Sequence, residues 1–258
     1  MRSLTMKLSN KIISITVVSI IVILLLLIAN TVHSFDSQNK SMISANVIKA
    51  MLANKTKFKN TIDQLAFEGA YKININKGDS FSLVISGDKK ILDKISVSHG
   101  RNSLTISKNK NFRLRRSGVA TVNITLPNVN NIALYGKNNA NIRGDFNEMK
   151  LNASGDTKLY FNITNARDFV LNSRGNSDIQ LEGITEKLTI NAAGKLNLDA
   201  SQLLASNVNV RGSGENKITV NVNRLLSVAL YGNAEINYLN EPDYINNHSF
   251  GNVRLRKV

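Results

Sequence analysis

The 258-residue chain has no cysteine, no tryptophan and only two prolines, Pro127 and Pro242. Without cysteine there are no disulfides, thiolate metal sites, cysteine nucleophiles or lipid attachment through an N-terminal cysteine. Histidine is scarce as well: His33, His99 and His248 are far apart in the chain. No HExxH, phosphate-loop or nucleophile-elbow pattern occurs. A histidine-based metal site or catalytic triad is therefore not expected. Acidic side chains are the minority, 18 against 33 basic ones, for a net charge of +15.

What the chain does have is a recurring glycine. Gly136, Gly155, Gly175, Gly194, Gly214 and Gly232 follow one another at intervals of 18 to 20 residues. An apolar residue stands four before each (Ile132, Leu151, Leu171, Ile190, Val210, Val228), and a second apolar run begins about four after. Units of this size cannot bury an apolar face alone and must stack on their neighbours. The spacing predicts an all-β fold, a β-solenoid of about six coils of 18–20 residues, with apolar residues alternately inward and polar ones outward. Asn152, Asn172 and Asn191 each precede a repeat glycine by three and are expected to form a ladder of side-chain amides.

Upstream of the repeats, residues 71–75, 81–85, 95–98, 104–107 and 121–126 alternate apolar and polar residues as strands do. Turn chemistry at Asn76-Lys77-Gly78-Asp79 and Ser98-His99-Gly100-Arg101-Asn102 suggests hairpins, 71–75 with 81–85 and 95–98 with 104–107. Residues 67–128 read as an N-terminal β-strand cap. Residues 129–258 read as repeats and a C-terminal cap, in one domain with 67–128. The segment from Asn240 onward closes the second end, with a turn at Asn247-His248-Ser249 before a last strand.

The first 34 residues differ in kind. Arg2, Lys7 and Lys11 precede an apolar run over 12–29. As a helix that run spans about 27 Å, close to the hydrocarbon thickness of a bilayer. The reading is an uncleaved signal anchor, one transmembrane helix with its charges inside and all that follows outside. Cleavage after Ser34, with Val32 at minus three, is the alternative and gives a secreted protein. Residues 35–66 form a basic linker with a short amphipathic helix over 38–54, able to rest on headgroups or pack on the β domain.

The positive charge is concentrated in residues 67–120, with eleven basic against four acidic side chains. Its densest part is Lys108, Lys110, Arg113, Arg115 and Arg116. This is a candidate anion-binding cluster for lipid headgroups or acidic polysaccharide, or a solvated loop. Only Phe112 interleaves it, which argues against nucleic acid. Tyr135, Arg174, Arg211 and Tyr231 each immediately precede a glycine and form a candidate surface-binding strip, or else are ordinary outward residues.

For catalysis, carboxylates would have to converge. Asp156 and Glu215 share a phase one after a glycine but are three coils apart, about 14 Å by strand spacing, too far to act on one bond. Ser213 between Gly212 and Gly214 reads as a turn residue. The chain is read as non-enzymatic, without metal or cofactor. A glycan lyase or hydrolase is the less favoured alternative.

Phe67-Glu68-Gly69-Ala70-Tyr71-Lys72-Ile73, Lys77-Gly78-Asp79, Leu104-Thr105-Ile106, Val122-Asn123-Ile124-Thr125-Leu126-Pro127, the glycine repeats and Gly251-Asn252-Val253 together resemble the bacterial "putative auto-transporter adhesin, head GIN domain" family. The resemblance covers residues 59–258. Gly212-Ser213-Gly214 approaches the family's Ser-Gly-Ser-Gly, while Tyr135-Gly136 and Tyr231-Gly232 depart from it. It implies a β-solenoid outside the cytoplasmic membrane that works as an adhesin or envelope-interaction protein on a glycan, lipid headgroup or protein. A self-assembling structural role is the second possibility. The resemblance supplies no binding residue.

Overall fold

The computed structural model describes residues 62–108 and 118–258. The apolar run over 12–29, the amphipathic segment over 38–54, and Lys110, Arg113, Arg115 and Arg116 lie outside the described residues. Among the described residues no helix is long and apolar enough to cross a membrane.

The described chain is all-β apart from one helical turn. In order it forms β1 (Gln64–Lys77), β2 (Ser82–Ser86), α1 (Lys89–Leu92), β3 (Ile95–His99), β4 (Ser103–Lys108), β5 (Ala120–Leu126), β6 (Asn131–Gly144), β7 (Glu148–Leu239), β8 (Tyr244–Asn247) and β9 (Phe250–Lys257). The pairing is mostly parallel. β1 pairs with β6 from Gln64↔Asn131 to Asn76↔Arg143. β6 pairs with the start of β7 from Asn131↔Lys150 to Gly144↔Ile163, a shift of 19 residues. The end of β7 takes β8 and β9 in parallel, with Leu225↔Tyr244 and Tyr231↔Phe250.

Glycine sets this register. Gly136 is paired with Gly69 and with Gly155. The contacts continue through Gly175, Gly194, Gly214 and Gly232 to Gly251. Each of these has φ between +100° and +148°, backbone that a side chain disfavours. A Cβ on Gly155 would lie 2.6 Å from the Gly136 carbonyl oxygen, so the layers can approach only where Cβ is absent. The column is longer than the six glycines the repeat showed, extending to Gly69 and Gly251. Gly69 was hidden because β2, α1 and β3 to β5 separate it in sequence from Gly136.

Alternation fills the interior. Ile73, Val122, Ile142, Phe161, Leu181, Ile190, Val220 and Ile236 are at most 1 % exposed. Burying such side chains, at about 25 cal/mol per Å² of apolar surface, is the main stabilising term. Phe161 is the centre of an aromatic cluster, 6.2 Å from Phe146 and 5.3 Å from Phe169 between ring centroids. Polar residues interrupt the apolar interior at several positions. Asn138, Thr157, Ser177 and Asn216, each two after a column glycine, are buried though polar. Ser177 is satisfied by a hydrogen bond from the Ser173 hydroxyl at 2.9 Å.

Of the two expected hairpins, one forms. β3 and β4 pair antiparallel, Val97 opposite Ile106. β1 and β2 do not pair: β5 lies between them, parallel to β1 and antiparallel to β2. One edge of β1 is occupied by β6 and the other by β4 and β5, so β2 is left with the outer edge of β5. The turn at Ser86-Gly87-Asp88 leads into α1, whose N-cap is Asp88 accepting from the Lys90 N–H at 3.1 Å.

Tyr71 is 3 % exposed and its hydroxyl donates to the Glu68 carbonyl at 3.3 Å. Burial, reinforced by the Glu68 carboxylate, pushes its phenol up to about 12. Above pH 10 the unfolded chain releases this proton while the folded chain keeps it, so stability falls with rising pH. The contribution is complete below pH 10 and is lost as pH rises through 12. A urea titration at several pH values should show a decline of the order of 2 kcal/mol across that window, and Tyr71→Phe should flatten it.

Candidate functional site

The Asn ladder builds one wall of a groove. Asn191 Nδ2 donates to Asn172 Oδ1 at 2.8 Å, Asn172 to Asn152 at 2.8 Å, and Asn152 to Asn131 at 2.9 Å. Such stacked amides satisfy one another across layers. Next to this wall are Ala153, Ser173 and Ala192, buried at 2 %, 4 % and 4 % exposure. Their small side chains leave a depression of about 420 Å³.

Tyr135, Arg174 and Arg211 line this depression. Tyr135 is 45 % exposed, and both arginines are exposed. The lining contains no acidic side chain. Neither Arg174 nor Arg211 makes a salt bridge among the described residues, whereas Arg167, Lys195, Arg256 and Lys257 each face a carboxylate.

The fourth strip residue, Tyr231, precedes Gly232 of the same column and continues the file of Tyr135 and Arg174 beyond the groove. Tyr231 is absent from the groove; it stacks on Phe250 near the last layer, centroids 5.5 Å apart and planes 13° from parallel. Tyr135 is in register with Ser154, and Arg174 precedes Gly175 of the same column. Arg211 precedes Gly212, which packs against Ala192 instead of a column glycine. It therefore falls in line with Asn191, on the opposite side of the small-residue floor from Arg174. The Gly212-Ser213-Gly214 doublet conceals this phase in the sequence, because either glycine fits the period. The small residues of the floor were the overlooked signal.

A second depression, of about 530 Å³, lies after the glycine column, between Lys137, Asp156, Lys158 and Asp178. Its charges are mixed in sign. Asp156 and Asp178 accept from Asn176 and Asn197 at 3.3 and 3.0 Å. Glu215, in the same column as Asp156, is paired with Lys195 at 2.9 Å. The two carboxylates are thus engaged by different layers. Among the described residues no group of three His, Asp or Glu side chains could hold a metal ion. Lys108 ends β4 and is half-buried; the structure describes no other member of the basic cluster.

The fold has solved relatives. A structure of a putative adhesin from Bacteroides fragilis superimposes with a TM-score of 0.73 at 21% identity, over 77% of this chain and 93% of that one. A structure of a putative lipid binding protein from Parabacteroides distasonis gives 0.58 at 19% identity, over 77% and 93%. A putative adhesin from Parabacteroides merdae gives 0.56 at 14% identity, over 77% and 92%. At these identities the likeness shows the shared fold. No curated protein matches the sequence. A family model described as "Putative auto-transporter adhesin, head GIN domain" matches residues 62–242, and the chain belongs to that family.

Proposed function

We propose that the chain is a non-catalytic, membrane-anchored adhesin or envelope-interaction protein, its β domain a solenoid held outside the cytoplasmic membrane by residues 1–34. The observation that carries this reading is the groove with Tyr135, Arg174 and Arg211. It places hydrogen-bonding and cationic groups on a rigid polar face. Rigid exposed Tyr and Arg are the residue types that anchor recognition surfaces. The layered backbone supports the solenoid reading, since residues about twenty apart are neighbours from β6 to β9. The carboxylates meet amides and lysines instead of one another, which favours contact over chemistry.

The test is retention. Cells displaying the full chain should adhere to purified envelope glycans or host cells. Arg174→Ser with Arg211→Ser should reduce retention about tenfold or more, at unchanged surface display. Unchanged retention removes the groove from the function. Protease added to intact cells should digest the β domain if it faces outward.

One observation favours self-assembly as a second reading. Among the described residues β9 pairs only with β7, and Tyr244, Phe250 and Ile245 at this end are 71 %, 64 % and 41 % exposed. An open strand edge beside apolar residues invites pairing with another chain. Sedimentation at rising concentration should then show growth of oligomers, abolished by Phe250→Lys. A concentration-independent monomer excludes it.

A further inference from the structure

We infer that the groove bounded by Arg174 and Arg211 takes a linear polysaccharide carrying a carboxylate on alternate sugar units. This deepens the adhesin reading and rests on it.

Charge decides the ligand's sign. Some exposed cations of the β domain are neutralised locally: Arg167 by Glu148 and Asp168, Lys195 by Glu215, Lys257 by Glu241. Arg174 and Arg211 have no such partner, and no acid lines the groove. Two guanidinium groups are thus left with their forks unused, and a guanidinium fork matches a carboxylate in two parallel hydrogen bonds.

Spacing decides the repeat. Gly212 packs on Ala192, and Gly194, two residues after Ala192, packs on Gly175. Arg211 is therefore two layers beyond Arg174. At about 4.8 Å per layer that is about 10 Å along the stack. A β-linked pyranose advances by roughly one layer, so acids on alternate units would meet the two arginines in turn. The arginines are also two residues apart along the strand, about 7 Å, so the polymer crosses the floor diagonally over about 12 Å, a difference the long arginine side chains absorb.

Shape decides the class. The lining encloses a depression of about 420 Å³, which suits a short chain of rings better than a flat lipid surface. Each ladder amide spends one N–H on its neighbour and has a second for a ligand hydroxyl. Tyr135 offers the apolar face of a ring at one end.

The experiment uses the full chain in neutral detergent. Titration calorimetry measures binding of hyaluronan oligosaccharides, which carry one carboxylate per disaccharide, of the same oligosaccharides after reduction of the carboxyls to alcohols, and of dextran sulfate. The expected result is binding to the uronate polymer about tenfold tighter than to its reduced form, weakening with added salt. Arg174→Gln and Arg211→Gln should each cost about tenfold, Arg174→Lys should recover only part, and Arg224→Gln, away from the groove, should cost nothing. Thermal melting of each variant checks the fold. Equal binding of the reduced polymer, or tighter binding of dextran sulfate, overturns the carboxylate assignment. Loss on Arg224→Gln equal to that on Arg174→Gln overturns the site. If no polymer binds while Arg174→Ser with Arg211→Ser still abolishes cell retention, the uronate ligand falls and the adhesive groove stands. If both fail, both fall.

Discussion

Gly183→Ala is expected to destabilise the β domain by about 3 kcal/mol or more, as a fall in the urea midpoint at constant slope. Gly183 has φ +120°, and a Cβ there would lie 1.6 Å from the carbonyl oxygen of Ile163. Two costs combine: a backbone region that L-residues avoid, and a clash with main chain that cannot rotate away. The layer would have to lift from its neighbour, breaking parallel hydrogen bonds on both sides. Gly100→Ala is the control. Its added Cβ would meet the Ser103 hydroxyl at 2.5 Å, a side-chain atom that can turn aside. A loss under about 1 kcal/mol is expected there. Equal losses at both positions would show that close backbone approach is not what Gly183 provides.

Phe161→Ala should cost about 3–5 kcal/mol. Phe161 is fully buried and is the ring that touches both Phe146 and Phe169. Its removal deletes transfer energy, leaves a cavity in close-packed surroundings and breaks two edge or tilted ring contacts. Phe161→Leu refills part of the volume and should recover more than half of the loss. Tyr231→Ala removes a ring 58 % exposed and should cost less than about 1 kcal/mol. Chemical denaturation of the three variants, read at a common urea concentration, separates these outcomes.

The glycine spacing was legible because its cause is local. A layer needs a residue without Cβ where it meets the next, so Gly136, Gly155, Gly175, Gly194, Gly214 and Gly232 recur and are visible without coordinates. The Asn152, Asn172 and Asn191 ladder was legible for the same reason, since a fixed offset from each glycine becomes a fixed position in space. Gly69 was not legible as a column member. Its partner Gly136 lies across the intervening β2 to β5, and sequence distance carries no record of such a long-range return. Nor was the pairing of β2 with β5, because alternation marks a strand and not its neighbour. Gly183 falls off the period and Gly212 competes with Gly214 for it, yet a Cβ on either would lie closest to backbone oxygen, 1.6 and 1.9 Å away. The inward Asn138, Thr157 and Asn216 read as outward from polarity alone.

The candidate site shows the same division. Tyr135, Arg174 and Arg211 were recognisable as exposed, but their convergence depends on the small floor residues and on Gly212 shifting Arg211 by two positions. Tyr231 shares their file but lies three layers beyond Arg174, outside the groove.

Because every layer hands the next an equivalent template, the domain's height can change without redesign. Duplicating or excising one stretch from a column glycine to the next in the interior of β7 would preserve the joints on either side. Related genes would then be expected to vary in whole steps of about twenty codons, so that the length of the layered domain becomes a quantity selection can tune separately from the chemistry of its side faces.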